Sequence, residues 1–195
     1  MIKDSGERTE FRTGAVRDIQ EGKGKCDLMP LNEIGTLLDA DEILLIESFR
    51  VTGEVRYLYA CLREFANRTY KTLEEMILDV SKHFEEGMKK YGMDNWKKGI
   101  NLRSYVNSGI RHYLKFRANI TDEPHDRAFV WNILCAIWTK NNKPELDDFT
   151  EKKEATVQDV IEELLTPYEE KAMDVSKAIS ELVAKDHAEH FWERR

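Results

Sequence analysis

Two carboxylate clusters carry most of the chemistry that can be read from this chain. The first lies in E-E-G-M-K-K-Y-G-M-D-N-W-K-K-G, Glu85 to Gly99, where acidic residues near the end of an amphipathic run meet a Tyr-Gly break and an Asn-Trp pair. Roughly 30 residues further on, a helix-scale spacing, Asp122, Glu123 and Asp126 open another helical run. Carboxylates on two helices can hold Mg²⁺ between them, and Mg²⁺ with water is an ordinary means of cutting a phosphoanhydride. The leading expectation is therefore a nucleotide pyrophosphohydrolase.

Each cluster also has a plainer explanation. His83 and Glu86 share a helix face with Asp79, whereas Glu85 falls about 100° away, so Glu85 and Glu86 cannot both point into one site. A solvated acidic face explains them equally well, although acids near a helix C-terminus oppose the macrodipole. Carboxylates at a helix N-terminus are favoured anyway, which accounts for one of Asp122, Glu123 and Asp126 without a metal. Asn132 sits inside the apolar run A-F-V-W-N-I-L-C-A-I-W. A buried Asn needs partners, either within the bundle or on a nucleobase edge.

His125-Asp126 raises a second chemistry. Metal-dependent H-D phosphohydrolases need an earlier His, here His83 or His112, and a later Asp, here Asp147 or Asp148. Arg111-His112 lies between the acidic clusters. Lys90, Lys97, Lys98 and Arg111 are cations suited to a triphosphate, and Tyr91 and Trp96 are rings suited to stacking a base. The chain has no P-loop, G-x-G-x-x-G or G-x-S-x-G motif.

The elements that must position these groups read as helices. Leu31 to Ser48 is Leu- and Ile-rich, Thr52-Gly53 is a turn, and Val55 to Ala66 is a second apolar segment. Thr72 with Glu75 forms a capping box for a helix ending near Tyr91-Gly92. Leu102 to Arg117 follows, and then a helix with Pro124 in its first turn runs to Trp138, the most buried of the set. A charged linker leads to Val157–Leu165, and a last amphipathic helix spans Tyr168 to Phe191. Residues 1–29 are polar and Gly-punctuated. They read either as a frayed tail or as a segment whose Gly backbone and Arg or Lys side chains wrap a phosphate.

Composition supports an all-α fold. With 10 Gly and 4 Pro in 195 residues, a loop-rich or all-β architecture is disfavoured. A net charge of -7 argues against polymeric nucleic acid as partner, while a nucleotide site stays open because a bound cation reverses the local charge. The 3 cysteines, Cys26, Cys61 and Cys135, lack metal-ligand spacing and read as reduced thiols of a cytoplasmic protein. No apolar run is long enough for a membrane span, and the polar N-terminus does not read as a signal peptide.

The string S-G-E-R-T-E-F-R-T-G-A-V-R-D-I-Q-E-G-K-G-K-C-D-L-M-P, the block H-F-E-E-G-M-K-K-Y-G-M-D-N-W-K-K-G, the helix S-G-I-R-H-Y-L-K-F and the block D-E-P-H-D-R-A-F-V-W-N-I-L-C-A-I-W occur in that order. They resemble the phage dATP/dGTP diphosphohydrolases, MazG-like all-α enzymes that include the MazZ proteins of phages with 2-aminoadenine genomes. The resemblance covers residues 4–31 and 80–138. It implies a MazG-like domain over 1–143, within which 32–71 reads as a helical insertion, while 144–195, outside the resemblance, reads as a helical extension suited to oligomerisation.

It further implies hydrolysis of dGTP or dATP to monophosphate and pyrophosphate, with Mg²⁺ (or Mn²⁺ or Co²⁺) as cofactor. In MazG-like enzymes an E-x-x-E on one helix and an E-x-x-D on the next bind the metal. Glu123 and Asp126 fit the second pattern. The first is imperfect, since Lys82 stands three before Glu85 and His83 three before Glu86. Glu85 is the first choice because it follows Phe84 in F-E-x-G, and Glu86 is the second. The expected ligand set is then Glu85, Glu86, Asp122, Glu123 and Asp126, with Glu85, Glu123 and Asp126 catalytic. Arg17, Lys23 and Arg111 are expected at the phosphates, His112 beside them, and Asn95, Trp96 and Asn132 at the base or sugar. The family builds sites across subunits, so a homo-oligomer (dimer or tetramer) is expected, in the host cytoplasm if phage-encoded. A helical module that binds nucleotide without turnover is the non-enzymatic alternative.

Overall fold

A computed structural model describes residues 6–149. The chain divides into two units, Met1–Thr150 and Glu151–Arg195, and the described residues all fall in the first. The helices expected at 157–165 and 168–191 lie outside them.

The described residues are all-α apart from one hairpin. Strands β1 (Arg8–Glu10) and β2 (Val16–Asp18) pair antiparallel, with Thr9 opposite Arg17. Six helices follow: α1 (Leu31–Leu38), α2 (Asp41–Thr52), α3 (Arg56–Thr69), α4 (Leu73–Tyr91), α5 (Leu102–Arg117) and α6 (His125–Asn142). Short 3₁₀ turns occupy Cys26–Leu28, Asn95–Lys98 and Pro144–Leu146.

Local chemistry explains the boundaries that matter for the site. The capping box forms at α4. Thr72 Oγ1 accepts from the Glu75 N–H at 3.1 Å, and the Glu75 carboxylate accepts from the Lys71 N–H at 2.9 Å. Gly92 ends the helix at φ 87°, with its N–H donating to the Met88 carbonyl at 2.9 Å. A side chain at that backbone conformation would be strained, so glycine is needed there.

Three elements differ from expectation. Residues 8–18 form a docked hairpin, turned at Phe11–Ala15, and not a frayed tail. The run from Leu31 to Ser48 breaks into two helices at Asp39, which takes a left-handed conformation at φ 48°. An Asp side chain tolerates that region. Pro124 stands at the N-cap of α6, one residue before the first turn, and the helix continues past Trp138 to Asn142.

The core is centred on α6, whose Ala128, Phe129, Val130, Ile133, Cys135, Ala136 and Ile137 are all buried. A helix apolar on every side has to be enclosed, and α5, its closest-packed neighbour, supplies Tyr105, Val106, Ile110 and Tyr113. Phe65 of α3 sits in an aromatic cluster, 4.7 Å from Phe129 and 5.3 Å from Phe116 between ring centroids. Both pairs meet edge to face, the arrangement that ring quadrupoles favour. Residues from α1, α2 and α3 therefore share one core with α5 and α6. Cys61 and Cys135 are buried, and all three cysteines are free thiols. No helix among the described residues is long and apolar enough to cross a membrane.

Candidate active site

Strand β2 and the loop after it, α4, α5, Trp131 and Asn132 of α6 and the loop before α6 enclose a cavity of about 380 Å³. That volume lies within the range of small-molecule sites. Four cations line it: Arg17, Lys23, Arg111 and Lys115. Asp18, Asp122 and Glu123 are the acids, with His83, His112, Tyr91, Trp131 and Asn132 completing much of the wall.

The hairpin is held against the helices by one amide. Asn95 Oδ1 accepts from the Val16 N–H at 2.9 Å, and Asn95 Nδ2 donates to the Val16 carbonyl at 2.8 Å. The side chain thus completes the strand edge as a neighbouring strand would. Asp18 adds ion pairs to Lys90 (2.7 Å) and Arg8 (3.0 Å). A close approach at Gly99 seats the hairpin turn, because Thr13 Oγ1 donates to the Gly99 carbonyl. A Cβ at Gly99 would lie 2.5 Å from Leu146 and 2.6 Å from Lys143, so a side chain there would displace both.

Arg17 projects from β2 into the bundle, where it is buried. It donates to Asn132 Oδ1 at 2.5 Å and to the Ser104 carbonyl at 3.1 Å, and lies 5.4 Å and 5.8 Å from the ring centroids of Tyr105 and Trp131. Among the described residues no carboxylate pairs with it. Burial lowers its pKa from the ordinary arginine value, an indication of how poorly this charge is compensated. On α5, Ser108, Arg111, His112 and Lys115 recur at i, i+3, i+4 and i+7, which puts all four on the cavity. Arg111 Nη2 donates to Ser108 Oγ (3.0 Å) and Gln20 Oε1 (3.3 Å), while its buried Nη1 has no hydrogen-bond partner. Burial lowers the pKa of both Arg111 and Lys23.

At the α6 end of the cavity, His112 Nδ1 and His125 Nδ1 stand 2.9 Å apart. Glu123 Oε1 lies 3.6 Å from the first and 3.7 Å from the second. His125 Nε2 is 2.7 Å from Asp122 Oδ1. That hydrogen bond, with help from Lys115, pulls the Asp122 carboxyl down to about 2. Burial, then the Arg111 charge, holds His112 well below the ordinary histidine range.

His83 is buried against Trp131 with ring centroids 5.5 Å apart, and its Nδ1 has no partner. Burial, followed by the Arg127 and Arg17 charges, lowers it to about 4. Below the unfolded value of about 6.5 the unfolded chain takes up a proton that the fold resists. Its stabilising effect is therefore complete above about pH 6.5 and is lost as pH falls towards 4, by about 3 kcal/mol. Urea unfolding at pH 7.5, 5.5 and 4.5 should show a shallower acid loss in His83→Gln than in the parent chain. An identical loss in both would rule out this histidine as the source.

The cavity brings together Arg17, Lys23, Asn95, Arg111, His112, Asp122, Glu123 and Asn132 of the residues expected from sequence. It does not include the others. Glu85 is exposed, paired with Lys89 one turn on, and lines a separate groove with Phe84 and Trp96. Trp96 packs its ring against Phe84 and Trp138. Glu86 lies 3.8 Å from Arg127, and Asp126 accepts from the Tyr70 hydroxyl at 3.2 Å. Asn95 and Asn132, expected at base or sugar, spend their amides on Val16 and on Arg17 and the Ala128 carbonyl. The H-D set is not assembled either. Asp148 accepts from Asn101 and Arg103 at the opposite end of α5 from His112, and Asp147 pairs with Lys140. Lys115, Gln20 and the pairing of His112 with His125 escape the sequence reading. The i, i+3, i+4, i+7 spacing on α5 is a sufficient signal for Lys115.

Taken together, the described residues form an all-α fold with a pocket lined by four cations and three carboxylates. Residues 64–149 match the family model described as dATP/dGTP diphosphohydrolase, N-terminal, which supports the resemblance seen in the sequence blocks. No curated protein and no solved structure matches the chain.

Proposed function

We propose that this protein hydrolyses a purine deoxynucleoside triphosphate, dGTP or dATP, to the monophosphate and pyrophosphate. The observation that carries the reading is the convergence of Arg17, Lys23, Arg111 and Lys115 on one cavity. Arg17 lacks a carboxylate counterion among the described residues, and Arg111 Nη1 is a buried donor with nothing to bond. A buried donor without a partner and a buried cation without a counterion are costly, and a bound triphosphate would satisfy both. The family match supports the substrate class.

In this reading the four cations hold and neutralise the triphosphate, and Tyr91 and Trp131 offer ring faces to the purine. Water attacks the α-phosphorus, the bond to the α–β bridging oxygen breaks, and pyrophosphate leaves with that oxygen. Of the five carboxylates expected to hold a divalent ion, Asp122 and Glu123 line the cavity. Mg²⁺ is commonly held by one or two carboxylates plus substrate phosphates, so this pair fits a metal that arrives with the nucleotide. When bound, the ion would neutralise phosphate charge and make the water a better nucleophile. Glu123 would hold it, and Asp122 would steady the cluster through its hydrogen bond with His125.

The test is incubation of the full chain with each dNTP and Mg²⁺ or Mn²⁺, with products resolved by ion exchange. Purine monophosphate plus pyrophosphate is expected. Glu123→Gln should reduce turnover by about 10³-fold, the scale for loss of a group acting at the transition state. Glu85→Gln, on the outer face, should leave it essentially unchanged. Deoxynucleoside plus triphosphate, or no turnover, would overturn the proposal. A dGTP substrate would give a product able to feed 2-aminoadenine nucleotide synthesis in a phage.

A further inference from the structure

We propose that His112, His125 and Glu123 form a binding site for a first-row transition-metal ion, in the Mn²⁺ to Zn²⁺ range, at the α6 end of the cavity. The inference rests on the reading of this cavity as a nucleotide hydrolase site and adds a metal that the protein holds without nucleotide. The three ligand atoms all lie within 4.8 Å of one another.

Their separations suit an ion. With bonds of about 2.1 Å, donors stand about 3.0 Å apart around an octahedral centre and about 3.4 Å around a tetrahedral one. The distances here are 2.9 Å between the two Nδ1 atoms and 3.6 and 3.7 Å from Glu123 Oε1 to each. Two ring nitrogens that close cannot both present bare lone pairs to each other. Something positive must lie between them, either a proton or a metal.

The second observation is the support behind His125. Its Nε2 is 2.7 Å from the Asp122 carboxylate. The ring proton therefore belongs on Nε2 and the lone pair on Nδ1, which faces His112 and Glu123. Metal-ligating histidines are characteristically oriented in this way, with the far N–H donated to a carboxylate. His125 is buried at 1% side-chain exposure, so its orientation is set by packing as well.

The donor set determines which metal binds. Two imidazoles and one carboxylate suit Mn²⁺, Fe²⁺, Co²⁺ or Zn²⁺, whereas Mg²⁺ prefers oxygen throughout. Three protein ligands leave coordination positions for water and for triphosphate oxygens. Asp122 is then a positioning residue, and Glu123 is a ligand.

The test uses the full chain, stripped of metal and without nucleotide, titrated with Co²⁺. Visible d–d absorption should appear and saturate at one equivalent, and isothermal titration should give the same stoichiometry. Millimolar Mg²⁺ should not displace the ion. His112→Ala, whose ring is partly exposed, and Glu123→Gln should each weaken binding by at least about 10²-fold, and Asp122→Asn by about 10- to 100-fold. Thermal unfolding of each variant shows whether it is folded, and His112→Ala stands in should a His125 variant fail to fold. Absence of Co²⁺ bands, or binding unchanged in both His112→Ala and Glu123→Gln, overturns the site. Mg²⁺-supported dNTP hydrolysis without Co²⁺ binding overturns this inference and leaves the hydrolase intact. Co²⁺ binding without turnover of any dNTP under any metal leaves the metal site standing and overturns the hydrolase.

Discussion

Arg17→Met is expected to reduce dNTP turnover by about 10²- to 10³-fold, the scale for losing a preorganised donor to developing charge, while the folded chain loses no more than about 2 kcal/mol of stability. The two effects separate because Arg17 is a buried cation with amide, carbonyl and ring neighbours and no carboxylate among the described residues. Met fills a similar volume and removes the burial cost of the charge. Asn132 Oδ1 and the Ser104 carbonyl lose a donor, a cost that cavity water reduces. Steady-state kinetics and urea unfolding on the same preparation measure both quantities. A stability loss of about 4 kcal/mol or more would mean that Arg17 is a structural keystone, and unchanged turnover would remove it from the phosphate site.

Asn132→Leu should cost more in stability. The substitution suits an apolar helix by composition, yet it removes the acceptor at 2.5 Å from Arg17 Nη2 and leaves the guanidinium less compensated. A loss of about 3 kcal/mol is expected, typical of breaking a buried charged hydrogen bond from one side. The double variant Arg17→Met, Asn132→Leu should then be more stable than the sum of the singles predicts, by about 1 to 3 kcal/mol. Strict additivity would show that the two residues do not depend on each other.

The fold is legible in the sequence where the local chemistry is self-contained. Thr72, Glu75 and Gly92 bound α4 without help from the rest of the chain, and the apolar stripe of α5 gives its limits directly. The apolar run of α6, interrupted only by Asn132, marks a largely buried helix. The break at Asp39 is not legible, because Leu and Ile continue on both sides and the turn needs only one tolerant residue. The hairpin is hidden for a different reason. Its strands are three residues each, too short for a period-two pattern, and Asn95, 79 positions from Val16, holds its edge.

The site is legible in residue type and less so in direction. Charge and the family blocks single out Arg17, Lys23, Arg111 and Glu123, and these meet in the cavity. The F-E-x-G string favours Glu85 over Glu86, whereas helix rotation carries Glu85 to the outer face, where Lys89 pairs with it. The apposed imidazoles of His112 and His125 depend on how the loop between α5 and α6 folds back, which no spacing rule supplies.

Asn95 joins two stretches of chain. The hairpin brings Arg17 and the turn after it brings Lys23, both outside residues 64–149, while the histidines and carboxylates His112, His125, Asp122 and Glu123 fall within that stretch. The cavity's four cations are thus divided between the two segments, Arg17 and Lys23 in the first and Arg111 and Lys115 in the second. The segments are joined by the Asn95 amide, the hydrogen bonds of Thr13 and Arg17 and the ion pair of Asp18 with Lys90. Such a division is modular. Substitutions at Arg17 and Lys23 would change the charge of the cavity while the imidazole–carboxylate cluster stays as it is. A library confined to the segment ending at Pro30 is the economical place to seek altered affinity for the proposed triphosphate.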